Sequence, residues 1–323
     1  MLGTSLSALA VEIDLGSEDT KLRWDNTIKY SNGFRVKGKS AALLADPNQD
    51  DGDRNFNKGL ISNRLDLLSE FDLSYKSNLG LRLSGAGWYD DVYHRRTDNP
   101  GNQGVNSQSV DARHFTHDTQ QLHGQKVELM DAFVYGNLEP SGMNLNVKAG
   151  RYTQLYGESL FFGSNGIAGA QTPLDLVKAL SVPNSQFKEV ARPVGQLGAQ
   201  LQITPTVTVG AYYQVEWRKS RLPAAGSYFS FADFVDAGGE ALLLGPGAFV
   251  LRGQDIEARN SGQGGMQLKL KAGDTEYGFY AAQFHDKMPQ FYVRPGVNPR
   301  NGSIGDYVQV FAENIRTVGT SFS

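Results

Sequence analysis

The chain has 323 residues, and its 31 basic and 34 acidic side chains leave a formal net charge of −3. This near balance argues against a nucleic-acid-binding protein, and the lack of cysteine excludes disulfides, thiolate zinc sites and a cysteine nucleophile. No stretch approaches the ~18–20 apolar residues of a membrane-spanning helix. A composition with 37 glycines and 11% aromatic residues is instead typical of an outer-membrane β-barrel, which needs only one apolar face per strand.

The chain begins with a short segment of small and apolar residues. Ala8, Leu9 and Ala10 match the small-x-small pattern of a signal-peptidase site. We therefore expect residues 1–10 to be the residual stub of a signal peptide, and residues 11–323 to form a single outer-membrane β-barrel domain. An ordinary flexible N-terminus is the alternative.

Period-two alternation is the clearest structural signal, and it is strongest over residues 63–75. Leu65, Leu67 and Phe71 share one face, whereas Arg64 and Asp66 lie on the other. This pattern predicts a strand between two different environments. The segment exceeds the ~9–11 residues that a tilted strand needs to cross a membrane. Similar alternation covers residues 197–203 and 207–217.

The predicted strands are joined by two kinds of connection. Short turns are expected at residues 77–80, 139–142, 204–205 and 272–274, and long polar segments at 38–58, 94–124, 221–262 and 286–305. Short turns at one end and long loops at the other are typical of outer-membrane barrels. We predict an all-β fold: an antiparallel, porin-like transmembrane β-barrel, with about ten strands of a larger barrel in this chain. A secreted soluble β-protein is the alternative.

One segment, residues 172–180, departs from the strand pattern and predicts a short helix in a long loop. Thr172 suits the N-cap and Pro173 the first helical position. The helix either folds into the barrel mouth and narrows it or lies on the extracellular rim. The candidates for an inward-folded constriction are Pro173, Leu174, Asp175, Val177 and Lys178.

Charged and aromatic side chains give two further sets of candidates. The residues expected to line the lumen are Arg64, Asp66, Glu70, Asp72, Arg82, Lys126, Glu128 and Lys148. These charges either set up a transverse field for permeating solutes or pair with one another and fill the interior. The residues expected to form interfacial aromatic girdles are Trp24, Tyr30, Trp88, Tyr89, Tyr213 and Trp217.

The sequence offers little for metal binding or catalysis. Residues 46–53 resemble a calcium loop, with Asp46, Asn48, Asp50 and Asp53 as candidate ligands, but the spacing fails because Asn57 occupies the twelfth position. No Gly-x-Ser-x-Gly motif occurs. We therefore predict no metal centre, no cofactor and no catalytic residues, with a barrel-embedded lipid hydrolase as an alternative.

Several stretches together resemble the proteobacterial DUF1302 family of exported proteins. They are LRWDNTIKY (residues 22–30), DDGDRNF (50–56), GLISNRLD (59–66), GRY (150–152), YGES (156–159), EVARP (189–193) and GSYFS (226–230). The resemblance implies a porin-like outer-membrane barrel linked with lipid- or hydrophobe-related envelope transport. It assigns no catalytic or binding residues. Family members run past residue 323, so we expect this chain to be the N-terminal portion of a longer member.

The sequence thus predicts a protein of the Gram-negative outer membrane that passes small or hydrophobic, lipid-like molecules. Its expected partners are outer-membrane lipid and lipopolysaccharide, with periplasmic or inner-membrane transport proteins implied by the resemblance. A structural barrel that docks partner proteins is the remaining alternative.

Overall fold

The computed structural model describes residues 2–101, 106–157 and 166–323, with side chains from residue 11 onward. Met1 of the predicted signal-peptide stub and Glu158 and Ser159 of the YGES motif lie outside these described residues.

Eleven strands form one antiparallel sheet, here called the main sheet, in the order β1 to β8, then β11, β12 and β15. The strands are β1 (Leu2–Ile13), β2 (Thr20–Arg35), β3 (Gly59–Tyr75), β4 (Leu79–Asp90), β5 (Gln125–Leu138), β6 (Asn144–Tyr152), β7 (Val194–Thr204), β8 (Val207–Gln214), β11 (Gln263–Ala272), β12 (Thr275–Phe284) and β15 (Ile315–Phe322). The prediction of an all-β fold with a large antiparallel sheet is confirmed. In the described chain, β1 and β15 are the two edges of this sheet and are not paired with each other.

A second sheet of four strands lies within the segments predicted as polar loops. Its strands, in the order β13-β14-β10-β9, are β9 (Ala241–Gly245), β10 (Ala248–Arg252), β13 (Gln290–Pro295) and β14 (Gly305–Val310). The segments 221–262 and 286–305, predicted as long polar loops between hairpins, therefore contain strands of their own. Strands β9 and β10 are short apolar runs without alternation, so the period-two pattern does not detect them.

The alternation in β3 gives the main sheet two different faces. Leu65 and Leu67 are 50% and 43% exposed, whereas Arg64 and Asp66 are only 1% and 3% exposed. We call the apolar side the outer face and the charged side, covered by loops, the inner face. Because side chains alternate along a strand, the register fixes which residues of β2 to β5 share the inner face.

Connections of two lengths alternate along the main sheet. Tight turns such as the one between β3 and β4, where Lys76 and Ser77 adopt positive φ, lie at one end. The longer segments lie at the other end, and their described residues are 36–58, 91–101, 106–124, 153–157, 166–193, 215–262 and 285–314. We call these the turn end and the loop end. The loop end has its own apolar core, which includes Phe56, Val92 and Phe115.

The α-helices are short and lie in the long segments. They are α1 (Asp51–Arg54), α2 (His117–Thr119), α3 (Gly166–Gln171), α4 (Leu176–Ser181) and α5 (Phe187–Val190). The predicted helix at 172–180 is present, but it begins later than expected. Asp175, not Thr172, is the N-cap, because the Asp175 carboxylate accepts a hydrogen bond of 2.9 Å from the Lys178 backbone N–H. None of the helices in the described ranges is long and apolar enough to cross a membrane.

Candidate functional site

The segment that carries α4 and α5 is bound to the inner face of the main sheet by ion pairs. Lys188 Nζ lies 2.8 Å from Glu70 on β3, and Lys178 Nζ lies 3.9 Å from Asp66 on the same strand. Lys29 on β2 lies 2.6 Å from Glu189 at the end of α5. The segment therefore crosses the charged face, close to the residues predicted to line a lumen.

Local hydrogen bonds hold this segment in a compact shape before it meets the sheet. Leu174 forms an isolated antiparallel bridge with Ala191, so that the chain returns on itself around α4 and α5. The Arg192 backbone N–H donates to the Pro173 carbonyl at 2.9 Å, which places Arg192 beside the start of the segment. Of the predicted constriction residues, Val177 is 1% exposed, whereas Asp175 and Lys178 carry the polar contacts.

Arg221 joins the segment to the sheet and was missed by the sequence analysis. Its guanidinium contacts Asp175 at 2.5 Å and Glu128 on β5 at 2.7 Å. It also lies 5.5 Å from the Trp88 ring centre, and Arg64 lies 4.9 Å from the same ring. We call Arg221, Asp175, Glu128, Arg64 and Trp88 the arginine cluster. No sequence pattern indicates this cluster, because Arg221 lies 46 and 93 residues from its partners.

The other predicted lumen residues lie mainly on the inner face, and several of them pair there. Arg64 contacts Asp66 at 2.8 Å, and Arg82 contacts Glu70 at 2.5 Å and Asp72 at 3.1 Å. The charges of neighbouring strands therefore compensate one another over much of this face. Lys148 on β6 lies over the Phe133 ring, 5.8 Å from its centre.

The predicted aromatic girdle divides into two groups. Trp24, Tyr30, Tyr89 and Tyr213 are 46–47% exposed. The prediction was wrong for Trp88 and Trp217, which are only 6% and 7% exposed. Trp88 lies on the inner face under the arginines, and Trp217 follows β8 and packs on Phe311.

A cavity of about 1000 Å³ opens at the loop end beside the arginine cluster. It lies between the start of β5, the segment after β8 and the end of β10. Its basic side chains are Lys126, Arg192, Arg218, Lys219, Arg221 and Arg252. Apolar surface is also present, from Leu122, Trp217 and Leu251. The cavity thus offers positive charge and apolar contact to one molecule.

A separate acidic cluster, formed by Asp50, Asp51 and Asp233, holds the loop-end segments together. Among the described residues, these three carboxylates are the ones close enough to share a metal ion, with ligand atoms within 4.8 Å of one another. The Asp51 backbone N–H donates to Asp233 Oδ2 at 3.0 Å, and Arg54 pairs with Asp50 at 2.5 Å. Burial, together with the neighbouring carboxylate charges, raises the pKa of Asp51 and of Asp233 well above the usual aspartate range.

The four predicted calcium ligands are not brought together. Only Asp50 joins the acidic cluster; Asp53 pairs with Arg35 at 2.7 Å. Asn48 Oδ1 accepts the Leu243 backbone N–H, and Asp46 accepts the Asn48 backbone N–H. The loop that carries these residues contributes Asp50 and Asp51 to the acidic cluster, whereas Asp233 comes from a distant segment that the sequence could not connect with it.

Two buried histidines have structural hydrogen bonds. His123 Nε2 accepts the Ala224 backbone N–H at 3.0 Å, and burial with the nearby Arg64 and Arg221 charges lowers the pKa of His123 to about 3. His285 Nδ1 accepts the Asn314 backbone N–H, while its Nε2 donates to the Ser261 carbonyl. The lowered pKa keeps the His123 ring neutral, and the hydrogen bonds of both rings fix loop backbone.

The fold and the site together define an all-β protein whose large antiparallel sheet has an apolar outer face and a charged, loop-covered inner face. The chain belongs to DUF1302, a family of proteins of unknown function, whose model matches residues 1–323. The family resemblance found in the sequence is thereby confirmed. No curated protein and no solved structure matches the chain.

Proposed function

We propose that the protein is a porin-like barrel of the bacterial outer membrane that passes small or hydrophobic, lipid-like molecules. The observation that carries the proposal is the difference between the two faces of the main sheet. Large apolar side chains such as Leu65, Val127 and Met266 are 50–87% exposed on the described surface. An apolar face of this extent needs a cover, and acyl chains of lipid would provide it.

The aromatic residues on the outer face support the same environment. Trp24, Tyr30, Tyr89 and Tyr213 expose nearly half of their surface, and such side chains favour the boundary between lipid and water. The alternation of tight turns and long segments along the sheet is also the pattern of outer-membrane barrels. Closure requires that the edges of β1 and β15 pair with each other or with further strands.

The inner face supplies features of a route for solutes. The segment with α4 and α5 is joined to β2 and β3 by ion pairs, and the cavity of about 1000 Å³ lies beside it at the loop end. A molecule that enters from the loop end would meet this cavity before the charged strands.

Tryptophan fluorescence tests the membrane part of the proposal. The chain has three tryptophans, so the double variant W88F/W217F keeps only Trp24 and the matched variant W24F/W217F keeps only Trp88. In vesicles with brominated acyl chains, we expect most of the Trp24 emission to be quenched and the Trp88 emission to be kept. Quenching of Trp24 by aqueous acrylamide alone would contradict a lipid-facing outer surface.

Bilayer conductance and vesicle efflux of small solutes test the passage itself. A pore or solute flux from the full chain supports the proposal. A correctly inserted protein that passes neither solute nor lipid would overturn it. Stable co-purification with envelope transport proteins would then favour the docking barrel, and labelling by a fluorophosphonate probe would favour the lipid hydrolase.

A further inference from the structure

The loop-end cavity contains basic side chains whose charges are compensated to very different degrees. Arg221 is bound by Asp175 and Glu128, and Lys219 pairs with Asp236 at 2.5 Å. Arg252 pairs with Asp255 at 2.7 Å, and Arg218 approaches Glu128 only at 3.8 Å. By contrast, Lys126 and Arg192 form no ion pair with any residue in the described ranges. Two cations are thus left for a ligand.

Arg192 is the better placed of the two, because part of its guanidinium is buried without a partner. One Nη donates to the Lys219 backbone carbonyl. The Nε atom is buried and has no hydrogen-bond partner among the described residues. Buried charged donors normally bind an acceptor, and leaving one unpaired is costly. Arg192 also lines the cavity, so the charge of an anion bound there would offset part of this cost.

The positive charges around Arg192 also favour the binding of an anion. Burial, with the like charges of Arg221 and Arg218, lowers the pKa of Arg192 to about 9. A bound anion would offset this repulsion. A carboxylate suits this position, because it forms charge-assisted hydrogen bonds with a guanidinium.

The other residues that line the cavity favour a ligand with a single negative charge and an apolar part. Asp118, Glu240 and Glu257 also line the cavity, so a ligand with two negative charges would be repelled more strongly than one with a single charge. Glu240 is held in place by the Gln108 and Ser109 backbone N–H groups. Leu122 and Leu251 offer contact to a hydrocarbon chain.

We propose that Arg192 and Lys126 bind the carboxylate of an amphipathic monocarboxylic acid, whose hydrocarbon part lies against Leu122 and Leu251. The inference rests on the proposed passage function in so far as it names a class of molecule that the protein passes. Arg192 is part of the EVARP segment, and its placement by the Pro173 carbonyl gives that segment a role in the site.

Binding of sodium octanoate to the full chain in detergent tests the proposal, with protein-free micelles as the background. We expect R192Q to weaken octanoate binding about tenfold or more, because a charge-assisted hydrogen bond is lost. We expect K126Q to weaken it by a smaller factor. The matched control R95Q removes an exposed arginine that does not line the cavity, and it should bind octanoate like the unaltered chain.

Two further ligands decide the chemical class. Octanol has the same chain without the charge and should bind more weakly than octanoate. Octyl phosphate carries up to two charges and should also bind more weakly. Equal binding of octanol and octanoate, or tighter binding of octyl phosphate, would overturn the proposal.

A stability readout separates ligand binding from a structural role of Arg192. Octanoate should raise the Tm of the unaltered chain and not that of R192Q, whereas the ligand-free Tm of R192Q should be unchanged or higher. An equal rise in both proteins would overturn the proposal. If R192Q does not fold, K126Q and the octanol comparison decide. Because binding is measured without a membrane, octanoate binding without conductance would contradict the proposed passage function alone.

Discussion

The two ends of the main sheet are specified by different interactions. At the turn end, hairpins such as that from β3 to β4 need only three residues, and the contacts are local. At the loop end, Arg221 joins Asp175 and Glu128, which lie 46 and 93 residues away. The alternating strand sequence therefore specifies the structure of the turn end. The structure of the loop end depends instead on ion pairs between buried residues that are far apart in the sequence.

The strongest test of this difference removes the central cation of the loop end. R221M should lower the free energy of unfolding by about 3–5 kcal/mol, because Asp175 would be left buried without an ion-pair partner and Glu128 would keep only the longer contact with Arg218. The matched control R95M removes the cation of an exposed pair with Asp91 and should cost about 1 kcal/mol or less. Urea titration of the folded protein in detergent measures both. Equal losses would show that the arginine cluster is not essential to the loop end.

A second substitution tests whether local side-chain packing determines the stability of the turn end. A Cβ at Gly80 would lie 2.2–2.5 Å from atoms of the Tyr135 ring. We therefore expect G80A to cost about 1–3 kcal/mol in the same titration.

Two controls define the cause of that loss. G85A lies on the same strand, where the nearest atom is 3.6 Å from the new Cβ, and it should be nearly neutral. Adding Y135A to G80A should remove most of the penalty that is specific to G80A. A loss of equal size in G80A and G85A would attribute the effect to the strand backbone instead.

The acidic cluster makes the loop end sensitive to pH in a way that the turn end is not. Since the pKa of Asp233 is raised by burial and by Asp51, the folded protein keeps a proton that the unfolded chain releases above pH ~4. Stability from this group is therefore full at low pH and falls as the pH rises through neutrality. D233N should reduce that fall by about 1 kcal/mol or more between pH 5 and pH 9.

The control for the pH profile is D46N, which alters a carboxylate of the same loop outside the cluster. It should change the slope of unfolding free energy against pH less than D233N does. A D233N profile that remains parallel to that of the unaltered chain would show that Asp233 is ionised in the folded protein.

The smallest effect is expected for an ion pair at the margin of the loop end. Lys188 pairs with Glu70, but the lysine side chain is 51% exposed. K188Q should cost less than about 1 kcal/mol, and 1 M salt should abolish most of the difference. A loss as large as that of R221M would show that α5, rather than the arginine cluster, fixes the segment on the sheet.

The alternation of apolar and polar residues was enough to predict the strands whose two faces lie in different environments. The residues of β3 could be assigned to an inner and an outer face because consecutive side chains of any strand point in opposite directions. The same rule did not place Trp88 and Trp217, because an aromatic ring suits a lipid boundary and a buried loop contact equally well. Their burial depends on Arg221 and Phe311, which lie in other segments.

The sequence by itself determined the fold class, the family, the main hairpins and the presence of a helix after Thr172, since each follows from near neighbours in the chain. Tertiary structure decided which charges pair, that Asp233 completes the acidic cluster, and that Arg192 keeps a buried Nε without a partner. Those features depend on side chains that meet only after segments separated by dozens of residues pack together. The strength of an electrostatic interaction depends on the distance between two groups in the folded protein, and the number of residues between them in the sequence does not predict that distance.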